Sequence, residues 1–331
     1  MSYLTGDTNQ ITLFYESGTW ASTSGAAVWP GQVLSNTIDE DMGVIQNRYA
    51  GTASRNVGQF VDGPQNFVGA LSFRPQNWRL FKFALGSCVD GGSPTPFLHT
   101  YTETNNGVNV VDVAGQSLPS FGLEDAQVTV TGSNFVRTVR GCFVDSMIIR
   151  ASEGEPVTVD VNYVGKTNTF SSGAKSTVTA DTQRPYMWSD VRVHIPSGTT
   201  YDQVKDFSFE LNNNLAVPHY LDTTRTIGLP IPQNRDYTVS LTLNSTDANT
   251  KTLYDQYLVG GSTFNMLLGV IAIAGSREAI ITCSGCKMLD MGAPSTNEGV
   301  QEQTLTIMPQ SVSVLETNEL QYFNAGSVAG F

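Results

Sequence analysis

The chain has 331 residues, of which 40% are hydrophobic and 15% charged, and its net charge is −12. That length suffices for two ordinary domains with separate cores, and the hydrophobic share excludes long disordered tracts. The acidic excess, with no basic stripe, excludes a chain that grips nucleic acid through its phosphates.

No apolar run is long enough to span a membrane; the longest is Met266 to Ala274. The start, Met1-Ser2-Tyr3-Leu4, lacks the basic and apolar regions of a secretory signal, so synthesis in the cytoplasm is expected.

Residues 1–30 read as an N-terminal arm, with Tyr15-Glu16-Ser17-Gly18-Thr19-Trp20 and Trp29-Pro30-Gly31. A strand follows at Phe67 to Phe73. Pro75 to Leu85 then reads as a helix, opened by Pro, stopped at Gly86, with Trp78, Phe81 and Leu85 on one face. Cys88 to Asp125, rich in Gly, Asn, Thr and Pro, reads as a long loop or hairpin. Val157-Thr158-Val159-Asp160-Val161 alternates as a strand with one apolar face. Ser, Thr, Gly and Pro cluster in a linker over 166–196. Alternation returns at Phe207 to Leu211, ended by Asn212-Asn213-Asn214, at Tyr237 to Leu243, and at Thr304 to Ile307. Asp247 to Leu258 reads as the second helix, with Leu253, Tyr254, Tyr257 and Leu258 as its stripe.

The two helices sit in similar surroundings. Arg55-Asn56-Val57-Gly58 precedes the first strand–helix pair and Arg225-Thr226-Ile227-Gly228 the second, 170 residues later. Gly141-Cys142-Phe143-Val144 resembles Gly285-Cys286-Lys287-Met288 at an offset of 144, and each is followed by a Glu-Gly turn, Glu153-Gly154 and Glu298-Gly299. The drop of 26 in offset places extra residues of the first copy within 88–125. The shared order of these features indicates an internal duplication. The expected organisation is an arm over 1–30, a β-sandwich over 31–165, the linker 166–196, and a second β-sandwich with a C-terminal tail over 197–331.

Few residues invite chemistry. Cys283-Ser284-Gly285-Cys286 has the spacing of half a zinc site or a redox pair, but on a strand residues i and i+3 face opposite sides, so the thiols are expected to diverge. Cys142 and Cys286 fall at equivalent places of the two copies, which also argues against one shared ion. His99, His194 and His219 lie in no recognisable catalytic motif, and no Ser sits in a nucleophile elbow. Asp39-Glu40-Asp41 could bind a divalent cation or shape a charged surface, and is read as a solvated loop. Asn244-Ser245-Thr246 fits a glycosylation sequon, and its place between strand and helix favours a turn and cap.

These residues resemble the tail tube (major tail) proteins of siphoviruses and related archaeal tailed viruses, in their two-domain form. The likeness is carried by Arg55 to Gly86, by Leu118-Pro119-Ser120-Phe121 with Arg140 to Met147, by Phe207 to Ile307, and by Tyr15-Glu16-Ser17-Gly18-Thr19. The resemblance implies an all-β fold with one flanking helix per sandwich, one sheet of each joining an intersubunit β-barrel around a lumen. It implies homotrimeric, pseudo-hexameric rings stacked through long loops and arms into the tube of a virion tail. The tail terminator, tape measure and baseplate proteins would be partners, and viral DNA would pass through without sequence-specific binding. No catalytic, cofactor-binding or metal-ligating residue and no membrane partner is expected. The extra residues within 88–125 would suit a loop reaching an adjacent ring. The alternative is a β-sandwich adhesin or carbohydrate-binding module, whose exposed aromatics cluster; here Trp20, Trp29, Trp78 and Trp188 are dispersed.

Overall fold

Alternating apolar and polar residues, punctuated by Gly and Asn, build an antiparallel all-β molecule. The computed structural model describes residues 9–16, 20–21, 24–48, 58–91, 97–104, 118–128, 134–181, 183–196, 198, 201, 203–221, 224–244, 251–271, 277–292 and 301–318. The N-terminal half runs through β1 (Gln10–Glu16), β2 (Ser24–Val28), β3 (Gln32–Asp41), a small hairpin of β4 (Ile45–Asn47) and β5 (Gln59–Val61), β6 (Asn66–Arg74) and helix α1 (Leu80–Leu85). It continues through β7 (Gly86–Gly91), β8 (Phe97–Glu103), β9 (Phe121–Val128), β10 (Asn134–Ser152), β11 (Thr158–Gly165) and β12 (Thr167–Ser171). The C-terminal half holds β13 (Val191–His194), β14 (Val204–Asn212), β15 (Asp236–Asn244), β16 (Phe264–Ile271), β17 (Glu278–Gly292), β18 (Glu302–Met308) and β19 (Ser311–Asn318).

Two long strands organise the layers. The C-terminal part of β10 and the C-terminal part of β17 lie in one shared sheet, ordered β3–β6–β11–β10–β14–β15–β18–β17. Their N-terminal parts lie in two flanking sheets, β2–β1–β9–β10–β12 and β13–β16–β17–β19–β8–β7. Each strand changes sheet at a bulge that contains a glycine at positive φ, Gly141 at +69° and Gly285 at +62°. One continuous apolar core, including Leu71, Phe73, Met147, Phe209 and Val239, fills the space between shared and flanking layers.

Several expectations change here. The first helix begins only at Leu80, because Gln76 and Asn77 spend their side chains elsewhere: the Trp29 indole donates to Gln76 Oε1 at 2.8 Å, and Asn77 Nδ2 donates to Trp29 O at 3.0 Å. All six helix residues are buried. The second helical segment is described only from residue 251 and widens into a π-type turn over Tyr254–Val259, closed by Gly260 N donating to Asp255 O at 2.9 Å. Leu253 and Tyr257 face the core, whereas Tyr254 of the expected stripe is exposed.

Residues 86–91 and 97–103 form a hairpin that joins the second flanking sheet of its own chain, β8 pairing with β19 from Ser313↔Thr102 to Asn318↔Phe97. That part of the 88–125 segment is thus a hairpin paired within its own chain; 92–96 and 105–117 lie outside the described residues. Within 1–30, β1 is a central strand between β2 and β9, and within 166–196, β12 and β13 pair with β10 and β16.

Candidate assembly interface

The shared sheet is built by repetition. Its first four strands, β3–β6–β11–β10, are matched in order by its last four, β14–β15–β18–β17. The internal joint is the pairing of β10 with β14, from Ser146↔Asn212 to Ser152↔Asp206. At the ends, β3 pairs in register only with β6, and the C-terminal part of β17 only with β18, among the described residues. The two free edges are thus counterparts of the two edges that meet at the internal joint. Open edges present unpaired backbone groups that must be covered or paired. Joining unlike edges is a head-to-tail contact, which generates rings or helices of identical chains.

The correspondence holds residue by residue. β3 has a bulge between Val33 and Ser35, β14 one between Val204 and Asp206. Gly43 and Asn214, just past those strands, are both left-handed, at φ +54° and +47°. Each donates its amide at 2.9 Å to a side chain two residues back, Asp41 Oδ1 and Asn212 Oδ1. Asp145 sits in the bulge between Val144 and Ser146, and Leu289 in that between Met288 and Asp290.

At the internal joint, Asp145 and Asn213 form a polar latch. Asp145 O accepts from Asn213 N at 2.8 Å, and Asp145 Oδ1 from Leu215 N at 3.0 Å. Asn213 is buried; its Nδ2 donates to Ala84 O at 3.1 Å and Val144 O at 2.9 Å, while its Oδ1 accepts from Arg235 Nε at 2.8 Å.

The face of the shared sheet turned away from the core is polar and acidic. On β14, Phe207, Phe209 and Leu211 are buried while Asp206, Ser208, Glu210 and Asn212 alternate with them. By the same registers Asp39, Asp41, Asp160, Asp236, Asp290 and Glu302 fall on this face, and two of the cations at it, Arg150 and Lys205, are ion-paired with Asp160 and Glu302. Such a surface repels phosphate groups.

The residues singled out in the sequence are scattered. Asp39-Glu40-Asp41 ends strand β3 and is not a loop, because pairing with β6 runs through Asp41↔Asn66; Glu40 accepts from Asn168 Nδ2 at 2.8 Å and meets Arg137 at 3.4 Å. Cys283 and Cys286 do not diverge. The bulge at Gly285 turns both into the core, and Cys286 Sγ donates to Cys283 O at 3.4 Å. Burial raises both thiols, that of Cys286 to about 11, so neither is a ready thiolate. Among the described residues no group of three or more His, Cys, Asp or Glu is placed to hold a metal ion. His99 is buried on β8, His194 lies on β13, and His219 is exposed in the loop after β14. Asn244 closes β15; Ser245 and Thr246 lie outside the described residues.

Trp20 donates to Gly141 O at 3.1 Å and Trp78 is buried, so the tryptophans form no exposed cluster. Sequence reading passed over Asp145, Asn213 and Glu16. The buried Glu16 carboxylate accepts from Gly141 N at 2.7 Å, Ser120 Oγ at 2.7 Å and Ala21 N at 3.1 Å, satisfying the backbone at the bulge. The one signal for it was its place in Tyr15-Glu16-Ser17-Gly18-Thr19.

A family model for phage tail tube proteins matches residues 8–309. No curated protein matches. A chain from the virion of a native gene transfer agent particle is similar at 13% identity with a TM-score of 0.30, covering 37% of this chain and 91% of that one.

Proposed function

The chain belongs to the phage tail tube protein family, and from that premise we propose that identical copies close its shared sheet into rings by pairing β17 of one copy with β3 of the next. It is a structural protein of the virion tail. The single observation that carries the ring reading is the repetition of the shared sheet, which leaves two unlike edges free and displays their pairing once within the chain. Backbone pairing across a subunit boundary supplies affinity, while side chains set the register.

In this reading the two repeats are tandem sandwich domains centred on 31–165 and 197–331, with β1 and β2 from the segment 1–30 and β12 and β13 from the segment 166–196 adding strands to their flanking sheets. The ring is homotrimeric and pseudo-hexameric, and the acidic face of the shared sheet lines the lumen. Viral DNA passes that face without being held, since the phosphates meet carboxylates and hydroxyls there. Tail terminator, tape measure and baseplate proteins meet the ends and interior of the stack, and the chain catalyses no reaction. Negative-stain electron microscopy of the purified chain over a concentration series tests this: hollow tubes or rings are expected, and a monodisperse monomer at high concentration would refute it.

A further inference from the structure

The internal joint and the free edges share one backbone geometry but differ in side-chain chemistry. Asp145, which accepts from Leu215 N at 3.0 Å, has Leu289 as its counterpart. Asn213, buried at the centre of the internal latch, has Met42 as its counterpart, and Leu215 has Val44, as the left-handed pair Asn214 and Gly43 fixes. Lys205, in the β14 bulge, corresponds to Leu34 in the β3 bulge. Three of these four positions thus exchange a polar residue for an apolar one, and all four apolar side chains stand exposed in the single chain: Leu34 at 49%, Met42 at 37%, Val44 at 55% and Leu289 at 50%.

We infer that the partner for this surface is a second copy of the same chain, whose Leu289 packs onto Met42 and Val44 in the register that Asp145 keeps with Asn213 and Leu215. This rests on the tube reading and adds to it the register and chemistry of the subunit joint. The backbone pairs as it does inside the chain, but an apolar contact replaces the carboxylate latch. The difference separates the two joints. A free β17 edge offers no carboxylate to Leu215 N, so a β17–β14 joint would lose the Asp145 latch, whereas Met42 and Val44 beside β3 give Leu289 an apolar partner. The β17 edge therefore selects β3 of another copy over β14, and identical repeats do not assemble out of order.

Cross-linking tests the register. In tubes of the V44C/L289C double variant, a short bis-maleimide is expected to link one copy to the next and give a ladder on denaturing gels that ends at the closed ring. The L34C/L289C variant is expected to give no ladder, since the copied register places those residues at opposite ends of the strand. The native thiols at Cys88, Cys142, Cys283 and Cys286 are buried and add little background. Tubes that form without the 44–289 link would overturn this joint and leave the tube reading standing; a wild-type chain that never assembles would overturn the tube reading itself. As a second arm, Leu289→Lys is expected to raise the concentration needed for tubes at least tenfold with the unfolding temperature unchanged. Tubes at the wild-type concentration would overturn the inference.

Discussion

Gly141 and Gly285 occupy the same place in two repeats: each is left-handed, and each sits at the bulge where a long strand leaves a flanking sheet for the shared one. The two bulges are finished differently. Gly285 N donates to Asn265 Oδ1 at 3.0 Å, whereas Gly141 N donates to Glu16. Asn265 lies between Phe264 and Met266, which pair with Cys286 and Cys283; its counterpart between Phe121 and Leu123 is Gly122. Lacking a side chain there, the first repeat brings its acceptor from the next strand.

Alanine at either glycine must adopt a backbone conformation that costs about 1–3 kcal/mol. At Gly285 the added carbon would lie 2.6 Å from Gln310 Oε1, the movable end of a side chain, and 3.0 Å from Gln310 Cβ. At Gly141 it would lie 2.6 Å from Trp20 Nε1, 2.9 Å from Lys166 Cβ and 3.1 Å from Ala21 Cβ. Thermal unfolding is expected to drop for both variants, and further for Gly141→Ala than for Gly285→Ala.

Glu16→Ala leaves the Gly141 amide and the Ser120 hydroxyl without their buried acceptor. A loss of about 2–4 kcal/mol is expected, since bonds to a charged acceptor contribute roughly 1.5–3 kcal/mol each and are not additive. Adding Gly122→Asn supplies the second repeat's solution. A Cβ at Gly122 meets nothing nearer than 3.6 Å, so the side chain fits. Chemical denaturation should show the double variant more stable than Glu16→Ala alone.

High pH should unfold the chain sharply. Burial raises the hydroxyls of Tyr101, Tyr163, Tyr186 and Tyr237 and the thiols of Cys142, Cys283 and Cys286, with Glu316 raising Tyr101 further. The folded state therefore holds these protons more tightly than the unfolded chain. Their contribution is full below the unfolded values, about 8.5 for Cys and 10 for Tyr, and is lost as pH rises through them toward the folded values. Tyrosinate absorbance from these four rings should appear together with the loss of circular dichroism. Ionisation of those rings in a still-folded chain would contradict this.

Salt should promote assembly. The copied register sets Asp290 of one copy across from Asp41 of the next, where the internal joint has Ser146 across from Asn212. Like charges directly opposite on a sheet destabilise the pair, and ions screen them. Turbidity or sedimentation at pH 7 should report more polymer as ionic strength rises, and Asp290→Asn should flatten that dependence.

Much of this was legible in the sequence. Residue pattern placed strands at Phe67–Phe73, Tyr237–Leu243 and Thr304–Ile307, and the repeated Gly-Cys marked the duplication, though not the bulges that the two glycines form. What alternation does not reveal is where a strand changes sheet, so the Cys283 and Cys286 thiols were assigned to opposite sides until the bulge at Gly285 turned them together. Helix limits failed where Gln76 and Asn77 form tertiary hydrogen bonds that local pattern does not encode. The latch at Asp145 was hidden because its partners, Asn213 and Leu215, lie about 70 residues away and meet it only through sheet order. Asp39-Glu40-Asp41 looked like a solvated loop because acidic residues on an edge strand are set by negative charge management, not by strand preference.

A cryo-electron microscopy map of tubes grown from the purified chain, at a resolution that separates strands, tests the central claim most directly. The account predicts β3 of each copy hydrogen-bonded to β17 of its neighbour, with Asp41 opposite Asp290 and the acidic face turned to the bore. A tube wall in which either edge strand is left open, or pairs with its own kind, would contradict it.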